Sequence, residues 1–416
     1  MKKNNIIMLI IAFVLSLSLL VGCGNDASSD PTKAPTTQKP TSAPADPTLA
    51  PTTEPTQAPT SEPTATPDTG SKTDIYVDQS KGKDTNNGSA DAPVQSLDKA
   101  FALLPEGGNV LIVGTYTFEF ENDVAVNNYV ITLPETNGKV TITSADKTKL
   151  STILFETGTK TTVQPISPIE LNNLYFEYDH AAYNGKAGVM NLYTGPELVI
   201  GDNMYIDCVN ESCNSKPFHE NCVCIRGGWH TPESKGSIYT GDDIVLTVMS
   251  GAFAYINGGN ADGNTPVGNS VITIGGTTEI YQRLQVAGSN GGDVLGNVTL
   301  NITGGHIGSG GTETDEAKLA QYGLVLIGHG KNGNNAEVSG NVTVNITGGN
   351  INSIHTARTE FESFGGDLTL SISEGVKYGS VNIDSGYFDL DKNHTLNLPA
   401  DADSSVFGDI WDTVNQ

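Results

Sequence analysis

Two stretches of this chain are nearly the same. "GNVTLNITGGHI" starts at Gly296 and "GNVTVNITGGNI" starts at Gly340, with ten of the twelve positions identical. In the first copy Val298, Leu300 and Ile302 alternate with Thr299 and Asn301. One side of such a strand is apolar and the other polar, with a period of two. Val342, Val344 and Ile346 repeat the pattern. A strand this short buries nothing by itself, so the repeat predicts stacking of similar units, each covering the next.

Related phrases occur at residues 244–248, 272–274 and 368–372. Their successive offsets are about 26–28, 28, 44 and 26 residues, the scale of one winding of a solenoid. The offset of 44 reads as two windings of 22, with "YGLVLIG" midway in the slot of a missing phrase. Other short apolar runs, such as "KVTITS", "TILFE", "IELNNLYFEY" and "DIVLTV", are separated by Gly and Asn, and 47 glycines imply many turns. Near the start of the folded region, Leu97, Ala100, Phe101 and Leu104 lie at helical spacing behind an N-cap at Ser96. That helix would close one end of the stack. "SSVFGDIWDTVNQ" is the candidate cap at the other end.

The two ends of the chain differ in kind. Residues 1–23 carry two lysines, an apolar run, and then small residues with a cysteine, which is the pattern of a secretory signal. The ending Leu20-Val21-Gly22-Cys23 resembles the bacterial lipobox, which implies lipidation of Cys23 and a membrane as partner. An ordinary cleaved signal or an uncleaved anchor is the alternative. Residues 24–72 are rich in Pro and Thr, and extended polyproline geometry would let some forty of them reach about 120 Å. The expected order is a leader (1–23), a stalk (24–72) and a folded domain (73–416). The location this implies is the outer face of the cell membrane, within the wall of a Gram-positive bacterium.

Net charge is −25, from 47 acidic and 22 basic side chains, and only Arg226, Arg283 and Arg358 are arginines. Such a balance argues against nucleic acid as a partner. It also opposes a polyanionic sugar unless a cation bridges the two. Cys208, Cys213, Cys222 and Cys224 crowd into one segment. In an exported protein two disulfides are the first reading, with free thiols and a zinc site using His219 or His230 as rivals.

The segment from Ile75 to Phe118 carries a further resemblance. Gly82, Asp84, Gly88, Ser89 and Pro93 fit "G-x-D-x-x-x-G-[ST]-x-x-x-P", followed by the helix and by Gly114-Thr115-Tyr116. This resembles the opening of right-handed parallel β-helix proteins of the pectate-lyase-like superfamily. "IELNNLYFEY" resembles a coil phrase of that superfamily, and the repeats at 296–355 resemble coils of bacterial adhesin-like surface proteins. The implied fold is all-β, a right-handed parallel β-helix (solenoid) with an N-terminal capping helix.

The resemblance also implies lyase or hydrolase chemistry as an alternative function. The lyase phrase "R-x-P-x-x-R" is absent, and no two arginines lie near each other along the chain. Asp242, Asp243 and His329 sit in fragments similar to those of polygalacturonases, but their sequence separation is too large for that match. Neighbours on a strand also face opposite ways, whereas glycoside cleavage needs two carboxyls about 5–10 Å apart. The leading expectation is therefore a non-catalytic surface protein that contacts glycans or other surfaces. A flat polar ladder through Thr299, Asn301, Thr343 and Asn345 would serve it, with Trp229, Tyr239, Tyr255, Tyr281 and Tyr322 as stacking partners. Asp78 and Asp84 are candidate Ca²⁺ ligands, and no other cofactor is expected. A monomer is expected.

Overall fold

The computed structural model describes residues 74–118, 129–157, 160–180, 189–208, 223–230, 241–260, 265–311, 313–330, 334–358, 362–383, 393–400, 402 and 413–415. The expected leader and stalk, and most of the expected far-end cap, lie outside the described residues. The described chain is all-β and its strands pair in parallel. The described residues hold two short helices, Leu97–Ala102 and Glu316–Leu319.

One run of parallel pairings passes through Asp74–Val77, Gly108–Ile112, Val140–Ser144, Ile169–Leu171, Glu197–Ile200, Ile244–Val248 and Ser270–Ile274. It continues through residues 298–302 and 342–346, then Leu368–Ile372, His394–Asn397 and Thr413–Asn415. Each member pairs with the next in sequence order, so the run forms a first ladder. A second ladder starts as a separate four-stranded sheet, with Thr115–Phe118, Ser151–Thr157, Leu174–His180 and Met204–Cys208 paired in that order. A third contains Tyr129–Leu133, Lys160–Pro165, Val189–Tyr193 and Cys224–Arg226, and goes on through residues 255–257, 283–285 and 323–325. This arrangement is compatible with a β-helix-like fold.

The alternation read from the sequence decides which side chains face inward. Val298 is 1% exposed and Val342 is fully buried, while Thr299 and Asn301 between the apolar positions are half-buried. The repeated phrase in fact encodes three things. "VTLNI" is a first-ladder strand. "TGG" is a corner, where Gly305 and Gly349 take φ of 84° and 93°, values that glycine adopts without a steric penalty. The final two residues open the next face, where His306 pairs with Asn350 and Ile307 with Ile351.

Two expectations are corrected. Val298 pairs directly with Val342, so the offset of 44 is one winding and not two. "YGLVLIG" fills no missing slot. Its strand, Gly323–Val325, belongs to the third ladder beside residues 283–285 and 354–355. The extra length is residues 308–322, inserted at a corner without disturbing the register. "IELNNLYFEY" is likewise two strands in two ladders. They are broken at Asn172 and Asn173, and Asn173 adopts a left-handed φ of 50°.

Over five successive first-ladder strands from Ile244 onward, the residue just before the strand ties one winding to the next. Asp243 Oδ1 accepts from the Asn269 N–H (2.7 Å), and Asn269 Oδ1 from the Asn297 N–H (2.9 Å). Asn297 and Asn341 continue to the N–H groups of Asn341 and Asp367, both at 2.8 Å. Asp367 ends the series on Asn393 at 3.0 Å. Asn341→Ala is therefore expected to cost about 1 kcal/mol, the usual net worth of one such bond. Asn341→Asp should retain most of it, because Asp243 and Asp367 already do the same job. Equal denaturation midpoints for wild type and Asn341→Ala would refute the role.

The helix Leu97–Ala102 is set by its cap. Ser96 Oγ accepts from the Lys99 N–H (3.1 Å), and Asp84 accepts from both the N–H and the hydroxyl of Ser96. Leu97, Ala100 and Phe101 are buried, and the Leu97 N–H donates to the Tyr116 hydroxyl at 3.3 Å.

Candidate functional site

The outward residues of the first ladder form a regular surface. Register aligns Thr299, Thr343, Thr369 and Thr395 in one column, and Asn301, Asn345, Ser371 and Asn397 in the next. All eight are half-buried and none carries charge. Thr413 and Asn415 extend both columns in register. Asn345 Nδ2 donates to Asn301 Oδ1 (3.0 Å), and Asn397 Nδ2 donates to Ser371 Oγ (2.9 Å). Rungs lie about 4.8 Å apart and alternate residues about 6.7 Å apart. The result is a flat grid of hydroxyls and amides, with Val245 and Val271 continuing the threonine column as exposed apolar residues. In a chain of net charge −25, a charge-free face of this extent is distinctive.

A second cluster lies on the third ladder. Arg226 Nη2 donates to the Tyr255 hydroxyl at 2.6 Å, and Nε donates to Asn191 Oδ1 at 2.8 Å. Nη1 reaches Ser289 Oγ at 3.3 Å, and the guanidinium stands 5.0 Å from the centre of the Tyr255 ring. Tyr255 and Tyr281 pack against buried Cys224 and Ala254. Cys224 beside it, and then burial, hold the Tyr255 hydroxyl protonated well above the ordinary phenol range, against the pull of Arg226. Arg283 is the register partner of Tyr255 on the following strand. Sequence reasoning missed this cluster. The available signal was that two of only three arginines fall on strands of one face. The three partners of Arg226 are uncharged and come from separate windings, which makes the cluster a staple across the stack.

The remaining candidates are placed as follows. Asp242 and Asp243 are exposed in a turn. Asp243 is occupied by Asn269, and the Asp242 carbonyl accepts from the Gly268 N–H at 2.7 Å. His329 lies elsewhere, paired with Ser289. Trp229 is 3% exposed and belongs to the core, and its carbonyl accepts from Asn260 Nδ2 at 2.7 Å. Tyr322 is buried and its carbonyl accepts from Ser353 Oγ at 2.6 Å. Asp78 Oδ1 accepts from the N–H groups of Ser80 and Lys81 and from the Ser80 hydroxyl. At both Asp78 and Asp84 burial works to raise the pKa, but the hydrogen bonds outweigh it and hold the carboxyl below its ordinary value. Cys224 is buried. Cys23, Cys213, Cys222, Tyr239 and the side chain of Cys208 lie outside the described residues.

Asp293 is a group the sequence did not flag. Burial pushes its pKa up to about 6; the hydrogen bond from the Glu337 N–H (2.9 Å) opposes this and the Glu337 charge adds to it. The native state thus holds a proton that the unfolded state, with a pKa near 3.9, releases. Stability falls as pH rises from about 4 through about 6. Asp293→Asn keeps an oxygen for the Glu337 N–H and removes the charge. It should match wild type at pH 4 and be more stable by about 1 kcal/mol at pH 7.5, after discounting for solvent screening. Thermal melts at the two pH values decide it, and an equal difference at both contradicts the assignment.

No family model, curated protein or solved structure matches the chain.

Proposed function

We propose that this protein is a lipid-anchored bacterial surface protein that contacts glycans without cleaving them. Its domain is a right-handed parallel β-helix of the pectate-lyase-like kind, with the helix Leu97–Ala102 as its N-terminal cap. The leader ending at Cys23, the Pro/Thr stalk and the buried face of that helix support this reading. The observation that carries it is the uncharged Thr/Asn grid over four successive windings. Neutral hydroxyls and amides can exchange water for sugar hydroxyls with no charge to desolvate. Pull-down on insoluble polysaccharides tests it. Retention on at least one glycan is expected, falling about tenfold in Thr343→Arg/Thr369→Arg. Absence of retention on every glycan refutes the reading.

Cleavage is the second reading. A half-buried carboxyl with a raised pKa beside another carboxylate, as at Asp293 and Glu337, is the kind of pair that serves acid–base chemistry. Release of unsaturated or reducing ends from pectin or alginate, abolished in Asp293→Asn, would replace the binding reading.

A further inference from the structure

A groove of about 480 Å³ lies where the first ladder turns into the second. That volume falls within the span of about 300–1,000 Å³ usual for small-ligand sites. Its floor opens because Gly201 carries no side chain; a Cβ there would stand 2.9 Å from the Cβ of Asn172. Asn173 and Asn203, both left-handed at φ 50° and 54°, form its corner, joined by the Asn173 N–H donating to the Asp202 carbonyl at 2.8 Å. Lys147 and Met249 complete the lining.

The lining is chemically mixed in a particular way. Asn173 Nδ2 is buried beneath the groove and has no hydrogen-bond partner, a cost carried by the corner itself. Glu170 uses one carboxylate oxygen on Asn172 Nδ2 (2.8 Å), which leaves the other for a donor. Asp202 adds a second carboxylate, Lys147 a donor, and Met249 an apolar wall. Anions are opposed by two carboxylates against one ammonium. A bare cation is opposed by Lys147 and by a volume far larger than an ion needs.

We propose that this groove binds one unit of a neutral sugar, an inference that rests on the protein being a glycan-contacting module. Glu170 and Asp202 accept from ring hydroxyls, Lys147 donates to them, and Met249 packs on the C–H face. The test is calorimetric titration of the full-length chain in detergent with neutral cello-, xylo-, malto- and chito-oligosaccharides, and separately with CaCl₂. Binding of at least one oligosaccharide is expected. It should weaken about tenfold in Asp202→Asn and in Lys147→Gln, both exposed enough to leave folding intact, and stay unchanged in Glu374→Gln, at an exposed turn outside both the groove and the grid. Equal affinity in the groove variants overturns the groove assignment, as does a response to Ca²⁺ alone. Retention on insoluble glycan with no oligosaccharide binding also overturns it, and leaves the grid as the binding surface. Only the loss of all glycan contact, soluble and insoluble, would remove the underlying function as well.

Discussion

Leu300→Ala should lower the unfolding free energy by about 2–5 kcal/mol, the cost of emptying a fully buried leucine site. Leu300 has no exposed surface and pairs with Ile272 below and Val344 above. The cavity would therefore weaken two junctions in one step. Stability in a stack is close to a sum over windings and their junctions. The loss should thus appear first as local opening around residues 270–350, visible as faster amide exchange there than in Leu174–His180. The control is next door: Thr299→Ala, on the outer side of the same strand, should change stability by no more than about 0.5 kcal/mol. Urea denaturation of both variants is sufficient. A Leu300→Ala cost near that of Thr299→Ala would mean that the strand does not present this side to a dry interior.

Arg226→Leu is expected to cost about 2–4 kcal/mol, through what it strands rather than through the charge it removes. Asn191 and Ser289 lose a donor, and the Tyr255 hydroxyl loses both its donor and the cation over its ring. Each partly buried group left without a partner carries a penalty of about 1–3 kcal/mol. Arg226→Lys should recover less than half, since a single ammonium cannot reproduce three divergent N–H directions. Denaturation curves for the two variants, with tyrosine absorbance as a local probe, measure this. A fully restored midpoint in Arg226→Lys would show that charge alone matters at this position.

What could be read in advance follows the range of each signal. The inward set at Val298, Leu300 and Ile302 was legible because a period of two is written within five residues. The helix at Leu97 was legible because its cap and spacing are equally local. The winding count between Val298 and Val342 was not legible, because residues 308–322 lengthen the chain while leaving the register intact. Asp243 illustrates a different limit: a carboxylate that bonds to the next winding and one that serves catalysis look alike in a sequence. The meeting of Arg226 and Tyr255 was hidden because strand pairing, not sequence distance, makes them neighbours. The Asp293 shift was hidden because it depends on burial between windings.

The tie formed by Asp243, Asn269, Asn297, Asn341 and Asp367 runs in one direction only, each side chain reaching to the backbone of the following unit. The connector is therefore carried inside the same phrase as the strand it secures. A tandem duplication of one whole winding would arrive with its own fastening to the next. Such a chain can gain or lose reach in whole increments during evolution.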